Sequence, residues 1–171
     1  MFLCVGTTML SRKEAILKIF NTHGPDAVYI APTGFLSRAV YNEYPNNKNI
    51  FFMQGSMGMA PAIGLGIALF TERQVVVLNG DAAHLMHLGI THTIRDEKLS
   101  NLFVYIIDNG VHESVGAQKC PPLENTYVGI TEIIRVSCDG KTPRVPLGFE
   151  ENTRQIIDFI KGEEDNAIGL L

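Results

Sequence analysis

The chain has 171 residues, of which 46% are hydrophobic and 19% charged, and a formal net charge of −4. That length suffices for one domain with a proper core, and the composition is ordinary for an α/β protein. The acidic balance argues against a nucleic-acid-binding face, which needs clustered Lys and Arg, and no apolar run is long enough to span a membrane.

Residues 1–10 are mildly apolar, but no basic stretch precedes them and Arg12 and Lys13 follow, so no signal peptide is expected. Cys4, Cys120 and Cys138 are odd in number and lack metal-ligand spacing; they read as reduced cysteines of a cytoplasmic protein. Ser11 and Glu14 form a capping-box signature, and Ala15, Ile16, Ile19 and Phe20 give helical spacing as far as His23-Gly24-Pro25. Ala27–Ala31 is a short buried strand stopped by Pro32-Thr33-Gly34, and residues 36–43 form a helix capped near Thr33 or Ser37. Ile50–Met53 is the next strand. Residues 58–70 are apolar all round and rich in Gly and Ala, which predicts a buried, closely packed helix.

Gln74–Leu78 reads as a central strand, 82–95 as one helix, and Leu102–Ile107 as a second continuous apolar strand. Beyond Gly110 a loop-rich stretch runs to an element at Ile130–Val136. A loop with Pro143 and Pro146 leads to a last helix over 150–161, and Ala167–Leu171 suits the start of a final strand. Apolar strands alternating with helices predict an α/β, doubly wound, mostly parallel sheet with helices on both faces.

In such a sheet, ligands bind beyond the carboxyl ends of the strands. Four strand ends carry unusual residues: Thr33-Gly34, Gly55-Ser56-Met57-Gly58, Gly80-Asp81-Ala82 and Asp108-Asn109-Gly110. Alone, Asp81 reads as a helix cap and Asp108-Asn109-Gly110 as a turn. Together, a carboxylate, an amide oxygen and a nearby main-chain carbonyl make a hard-oxygen set suited to Mg²⁺, with the helix start after Asp81 facing phosphates.

GDA at 80–82 with DN at 108–109 resembles the thiamine-diphosphate signature, GDG followed later by NN. GSMGMAPAIGLGIAL (55–69), GDAAHLMHLGITHTI (80–94) and NLFVYIIDNGVHESVGAQ (101–118) are similar to the thiamine-diphosphate-dependent phosphonopyruvate and sulfopyruvate decarboxylase family. MHLG and NGVHESVGAQ look closer to the phosphonopyruvate branch. The resemblance covers residues 10–120 well and the rest loosely.

The resemblance implies that Asp81, Asn109 and the carbonyl of Val111 ligate Mg²⁺. It implies that Gly80, the backbone around Ala82 and Ala83, and Thr33 with Gly34 hold the diphosphate. Gly55, next to Ser56, would accept from the aminopyrimidine through its carbonyl, and Met57 would sit under the bend of the cofactor. The pattern departs from the family at Ala82, where Gly is usual, and in ending early. The whole of 1–171 then reads as one diphosphate-binding domain. The pyrimidine-binding domain and its glutamate would reside on an obligate α subunit in a hetero-oligomer.

On the expected 82–95 helix, His84 and His87 stand i, i+3, a spacing that can share a metal; the resemblance argues instead for core or interface histidines, His92 included. His112 is the better catalytic candidate, for proton transfer or anion binding, against an ordinary exposed loop histidine. Glu113, Ser114 and Gln118 share that ambiguity, and Arg38 and Lys119 could meet a phosphonate or sulfonate. The expected activity is decarboxylation of a small 2-oxoacid, 3-phosphonopyruvate first and sulfopyruvate second. A non-catalytic relative and a flavodoxin-like nucleotide binder are the readings from other classes.

Overall fold

A computed structural model describes residues 9–123 and 128–162. Cys4 and the strand expected at 167–171 lie outside the described residues. The elements in chain order are α1 (Arg12–His23), β1 (Val28–Ala31), α2 (Gly34–Glu43), β2 (Ile50–Phe52) and α3 (Ala60–Ala68). There follow β3 (Val75–Gly80), α4 (Asp81–Met86), α5 (Gly89–Glu97), β4 (Leu102–Asp108), β5 (Val111–His112), β6 (Gln118–Lys119), β7 (Glu132–Arg135) and α6 (Phe149–Lys161).

Five strands form a parallel sheet in the order β2-β1-β3-β4-β7. Its side chains divide by alternation. Tyr29, Ala31, Val76, Leu78, Tyr105 and Ile107 pack against α1 and α2 on one face. Val28, Ile30, Val75, Val77, Val104 and Ile106 pack against α3, α5 and α6 on the other. Burial on both faces is why these strands read as continuous apolar runs. The chain winds outward from β1 in one direction and from β3 in the other, so the switch point lies between these two strands, where open α/β sheets bind ligands.

Local chemistry forms the elements. Ser11 accepts from the Glu14 N–H at 3.1 Å while Glu14 accepts from the Ser11 N–H at 2.7 Å, so the expected capping box starts α1. α3 is pressed onto the sheet at Gly64, where a methyl group would lie 2.3 Å from Val77 Cγ2. The open edge of β2 is closed by α6: Asn152 bonds both the N–H and the C=O of Phe52, at 3.0 and 2.7 Å, and Gln155 donates to the Ile50 carbonyl. At the other edge Leu10 bridges to Val136, which carries the start of α1 to the rim of the sheet.

Three expectations change. The helix expected over 82–95 is two helices, because His87 leaves helical geometry at φ −142°, ψ 46°. Gly89, a poor helix former, follows two residues on, and Gly58 packs against Ala83 and His87 there. The stretch after Gly110 holds a short antiparallel hairpin, β5 with β6. β3 also runs two residues further than expected, to Gly80, so that its end pairs with Ile107 of β4.

Candidate functional site

The carboxyl ends of the parallel strands open onto one cavity at the switch point. Thr33 and Gly34 line it from the end of β1, Met57 from the loop after β2, and Gly80, Asp81, Ala82 and Ala83 from the end of β3. Asn109, Val111 and His112 line it from the end of β4. Gly55 and Ser56 lie on the exposed loop beside it and do not form its wall.

Gly34 opens α2 at φ +80°, a conformation that favours glycine, and a methyl group there would meet Ser114 Oγ at 3.0 Å. Thr33 makes no side-chain cap, so the first N–H groups of α2 are left to the cavity. Gly58, at φ +92°, lets the loop after β2 approach the Ala83 carbonyl, where a methyl would sit at 2.7 Å. Met57, just before it, lines the cavity.

Asp81 is 4% exposed. Its Oδ2 accepts from the Gly110 N–H at 2.9 Å, and the Ala82 N–H and the Cys120 thiol lie close by. Among the described residues no cationic side chain pairs with it. Burial pushes its pKa above the ordinary carboxylate value and the charge of Asp108 adds to this, while the neighbouring N–H and thiol groups oppose it. Burial, with Asp81 close by, pushes the Cys120 thiol up to about 12.

Asn109 is fixed at both ends of its amide. Nδ2 donates to Glu113 Oε2 at 2.9 Å, and Oδ1 accepts from the Val111 N–H at 3.2 Å. Gly110 makes the turn at φ +72°, and its carbonyl receives the Cys120 N–H at 2.8 Å, which folds the hairpin over the loop. Glu113 also binds Arg12 at 2.5 Å. Arg12 escaped sequence reading as a site residue, yet it is 3% exposed and lines the cavity. The available signal was its phase: Arg12 falls on the same helical stripe as Ala15, Ile16 and Ile19.

The other expected residues separate. His84 is buried, whereas His87 and His92 are exposed, and no group of three His, Cys, Asp or Glu side chains placed to hold a metal occurs among the described residues. His112 is half-buried in the cavity wall, and Ser114 lies beside it. Gln118 and Lys119 are exposed on β6 and Lys119 does not reach the cavity. Arg38 stands over the Phe35 ring, donates to the Thr142 carbonyl at 3.2 Å, and faces a neighbouring cleft with Arg144. Cys120 and Cys138 are free thiols.

The donor set suits a hard divalent cation carrying a phosphate ester. It offers a buried carboxylate without a counter-charge, an amide oxygen, main-chain oxygens, and free N–H groups at the start of α2.

Comparison with known proteins gives the family. Residues 33–143 match the family described as thiamine pyrophosphate enzyme, C-terminal TPP binding domain. Sulfopyruvate decarboxylase subunit beta of Methanocaldococcus jannaschii is 38% identical over 92% of this chain and 77% of its own length. The same subunit of Methanothermobacter thermautotrophicus is 43% identical over 64% of this chain and 58% of its own. Phosphonopyruvate decarboxylase of Streptomyces hygroscopicus is 39% identical over 64% of this chain, which spans only 27% of that protein. The crystal structure of a candidate thiamin diphosphate-dependent enzyme from Mycobacterium smegmatis shares the fold, with a TM-score of 0.60 at 16% identity, over 81% of this chain and 33% of that one. A parallel sheet with a cavity at its switch point, matched by a family profile over most of its length, places this chain among the thiamine pyrophosphate enzymes, in the family of their C-terminal TPP-binding domain.

Proposed function

We propose that this chain is the diphosphate-binding β subunit of a thiamine-diphosphate- and Mg²⁺-dependent decarboxylase that converts 3-phosphonopyruvate to phosphonoacetaldehyde and CO₂. The observation that carries the reading is Asp81: a buried carboxylate at a strand end, destabilised in its charged form, with no cation beside it among the described residues. A divalent ion offsets that cost directly.

In this reading Asp81, Asn109 and the Val111 carbonyl hold Mg²⁺. Thr33, Gly34 and the N–H groups around Gly80, Ala82 and Ala83 receive the diphosphate. The Gly55 carbonyl, beside Ser56, would accept from the aminopyrimidine, and Met57 would support the cofactor. Thiamine diphosphate, when bound, supplies the carbon nucleophile and electron sink that loss of CO₂ from a 2-oxoacid requires. His112, at the cavity wall, borders the substrate and moves a proton at its ring nitrogen.

A second chain completes the site. Relatives similar over most of this chain are named subunit beta. Around the rim Gly55, Ser56, Met86 and Val115 are exposed, the last two at 61% and 64%, and apolar surface at a site is best covered by a partner. That pyrimidine-binding α subunit supplies the glutamate, and the site works without nucleic acid or membrane. No helix among the described residues is long and apolar enough to cross a membrane.

Sulfopyruvate is a second reading, favoured by one fact: two relatives of which this chain covers 77% and 58% are sulfopyruvate decarboxylase β subunits. Co-purified with its partner, the protein is expected to bind thiamine diphosphate in calorimetry only when Mg²⁺ is present, and to turn over 3-phosphonopyruvate with the higher kcat/KM. Turnover of sulfopyruvate alone would transfer the function to the second substrate. Absence of cofactor binding would overturn both readings in favour of a non-catalytic relative.

A further inference from the structure

The carboxylate of Glu113 joins three separate stretches of the chain. Its Oε2 accepts from Arg12 Nη2 at 2.5 Å and from Asn109 Nδ2 at 2.9 Å, and its Oε1 accepts from the Gly140 N–H at 2.9 Å. Arg12 is held in turn, its main-chain N–H donating to Asp139 Oδ2 at 2.6 Å. The side chains of Arg12 and Glu113 are only 4% and 12% exposed, so this pair is shielded from the screening that dissolves surface pairs.

An asparagine amide has two ends of nearly equal shape, of which only the oxygen can ligate a hard cation. An ionised carboxylate can only accept, so Glu113 takes the nitrogen of Asn109 and leaves the oxygen on the opposite side. There Oδ1 accepts from the Val111 N–H, while Asp81 Oδ2 accepts from the Gly110 N–H. Two consecutive N–H groups after β4 thus bind the Asp81 carboxylate and the Asn109 amide oxygen.

We propose that Glu113, neutralised by Arg12, is the positioning residue that holds the Asn109 amide with its oxygen toward the cation site at Asp81. The proposal rests on the reading that this cavity holds Mg²⁺ with thiamine diphosphate. It accounts for a buried arginine at the wall of a site meant for a cation: Arg12 balances Glu113 and has its charge consumed there. Loss of a partner that orients a metal ligand typically weakens metal affinity by about 10–100-fold.

Two measurements test it. In the full chain without cofactor, the Asn109 side-chain NH₂ resonances, assigned by their loss in Asn109→Asp, are expected to move toward solvent-exposed values in Glu113→Gln. In the complex purified with its partner, the Mg²⁺ concentration for half-maximal thiamine diphosphate retention is expected to rise about tenfold or more in Glu113→Gln. Combining Asn109→Asp with Glu113→Gln reverses the polarity of the hydrogen bond and still leaves an oxygen of residue 109 on the side of the cation site. That pair is expected to return within about threefold of the unaltered protein, a recovery that a role in folding alone does not produce. Should Glu113→Gln fail to fold, Arg12→Met with Glu113→Gln removes the ion pair as a unit and carries the same comparison. Unmoved NH₂ resonances or an unchanged Mg²⁺ requirement would overturn the positioning role and leave the cofactor reading standing. An unaltered protein that retains no cofactor with Mg²⁺ would overturn the cofactor reading, and the positioning role with it.

Discussion

The interior of the sheet and its carboxyl rim are built on opposite rules, although single strands run through both. In β3, Val75, Val76, Val77 and Leu78 are fully buried among apolar neighbours, and α3 lies so close that Gly64 has no room for a methyl group. Just past the end of the same strand, Asp81 is also buried, but in a setting that disfavours its charged form. The rim departs from ordinary backbone as well: Gly34, Ser56, Gly58, Gly110, Gly116 and Ala117 all have positive φ. The interior therefore supplies stability, and the rim holds strain and uncompensated charge in a form useful for binding.

The largest expected effect separates the two regions at Asp81. Asp81→Asn should weaken Mg²⁺-dependent cofactor binding by more than about 100-fold, because it removes the sole side-chain carboxylate of the proposed metal set. The same variant should raise the thermal midpoint of the metal-free protein at neutral pH. With its folded pKa above the ordinary 3.8, ionised Asp81 subtracts stability as pH rises through the raised value, and an amide avoids that loss. Cofactor binding by the unaltered protein has the reverse dependence and should fall as pH drops through the same range, read by calorimetry over a pH series. A lowered midpoint in Asp81→Asn would erase the contrast between interior and rim.

Gly64→Ala probes the interior. With Val77 Cγ2 2.3 Å from the new carbon, helix and sheet must separate, at a cost of about 1–3 kcal/mol in denaturant unfolding. The cofactor site, at the far end of β3, should keep its Mg²⁺ requirement in whatever fraction remains folded. The smallest effect belongs to Ser11→Ala, which breaks the capping box of α1 and should cost about 1 kcal/mol. Because α1 also carries Arg12 to the rim, a shift in the Mg²⁺ requirement of this variant would show that the two regions are coupled through that helix.

Much of the interior was legible in the residue order, for a local reason. Strands buried on both faces must be apolar throughout, and Val75–Leu78 and Leu102–Ile107 are. The capping box at Ser11 and the close packing of the Gly- and Ala-rich α3 follow from spacings of three or four residues. Most of the rim residues were legible too, since Thr33-Gly34, Gly80-Asp81 and Asn109-Gly110 stand at strand ends. The break at His87 was not, because Leu85 and Leu88 keep an i, i+3 apolar spacing across it. Nor was the hairpin β5–β6, whose two-residue strands are too short to show alternation.

By itself, then, the order of residues determined the α/β class, the parallel character of the sheet and which strand ends carry polar chemistry, since each depends on neighbours along the chain. Only the tertiary structure decided what those ends face. Gly110 donates to Asp81, Glu113 is shared by Arg12, Asn109 and Gly140, and Asn152 closes the edge of β2 from α6. Such pairings join residues as much as a hundred positions apart, and their geometry comes from how strands cross between helical layers, which no local spacing encodes.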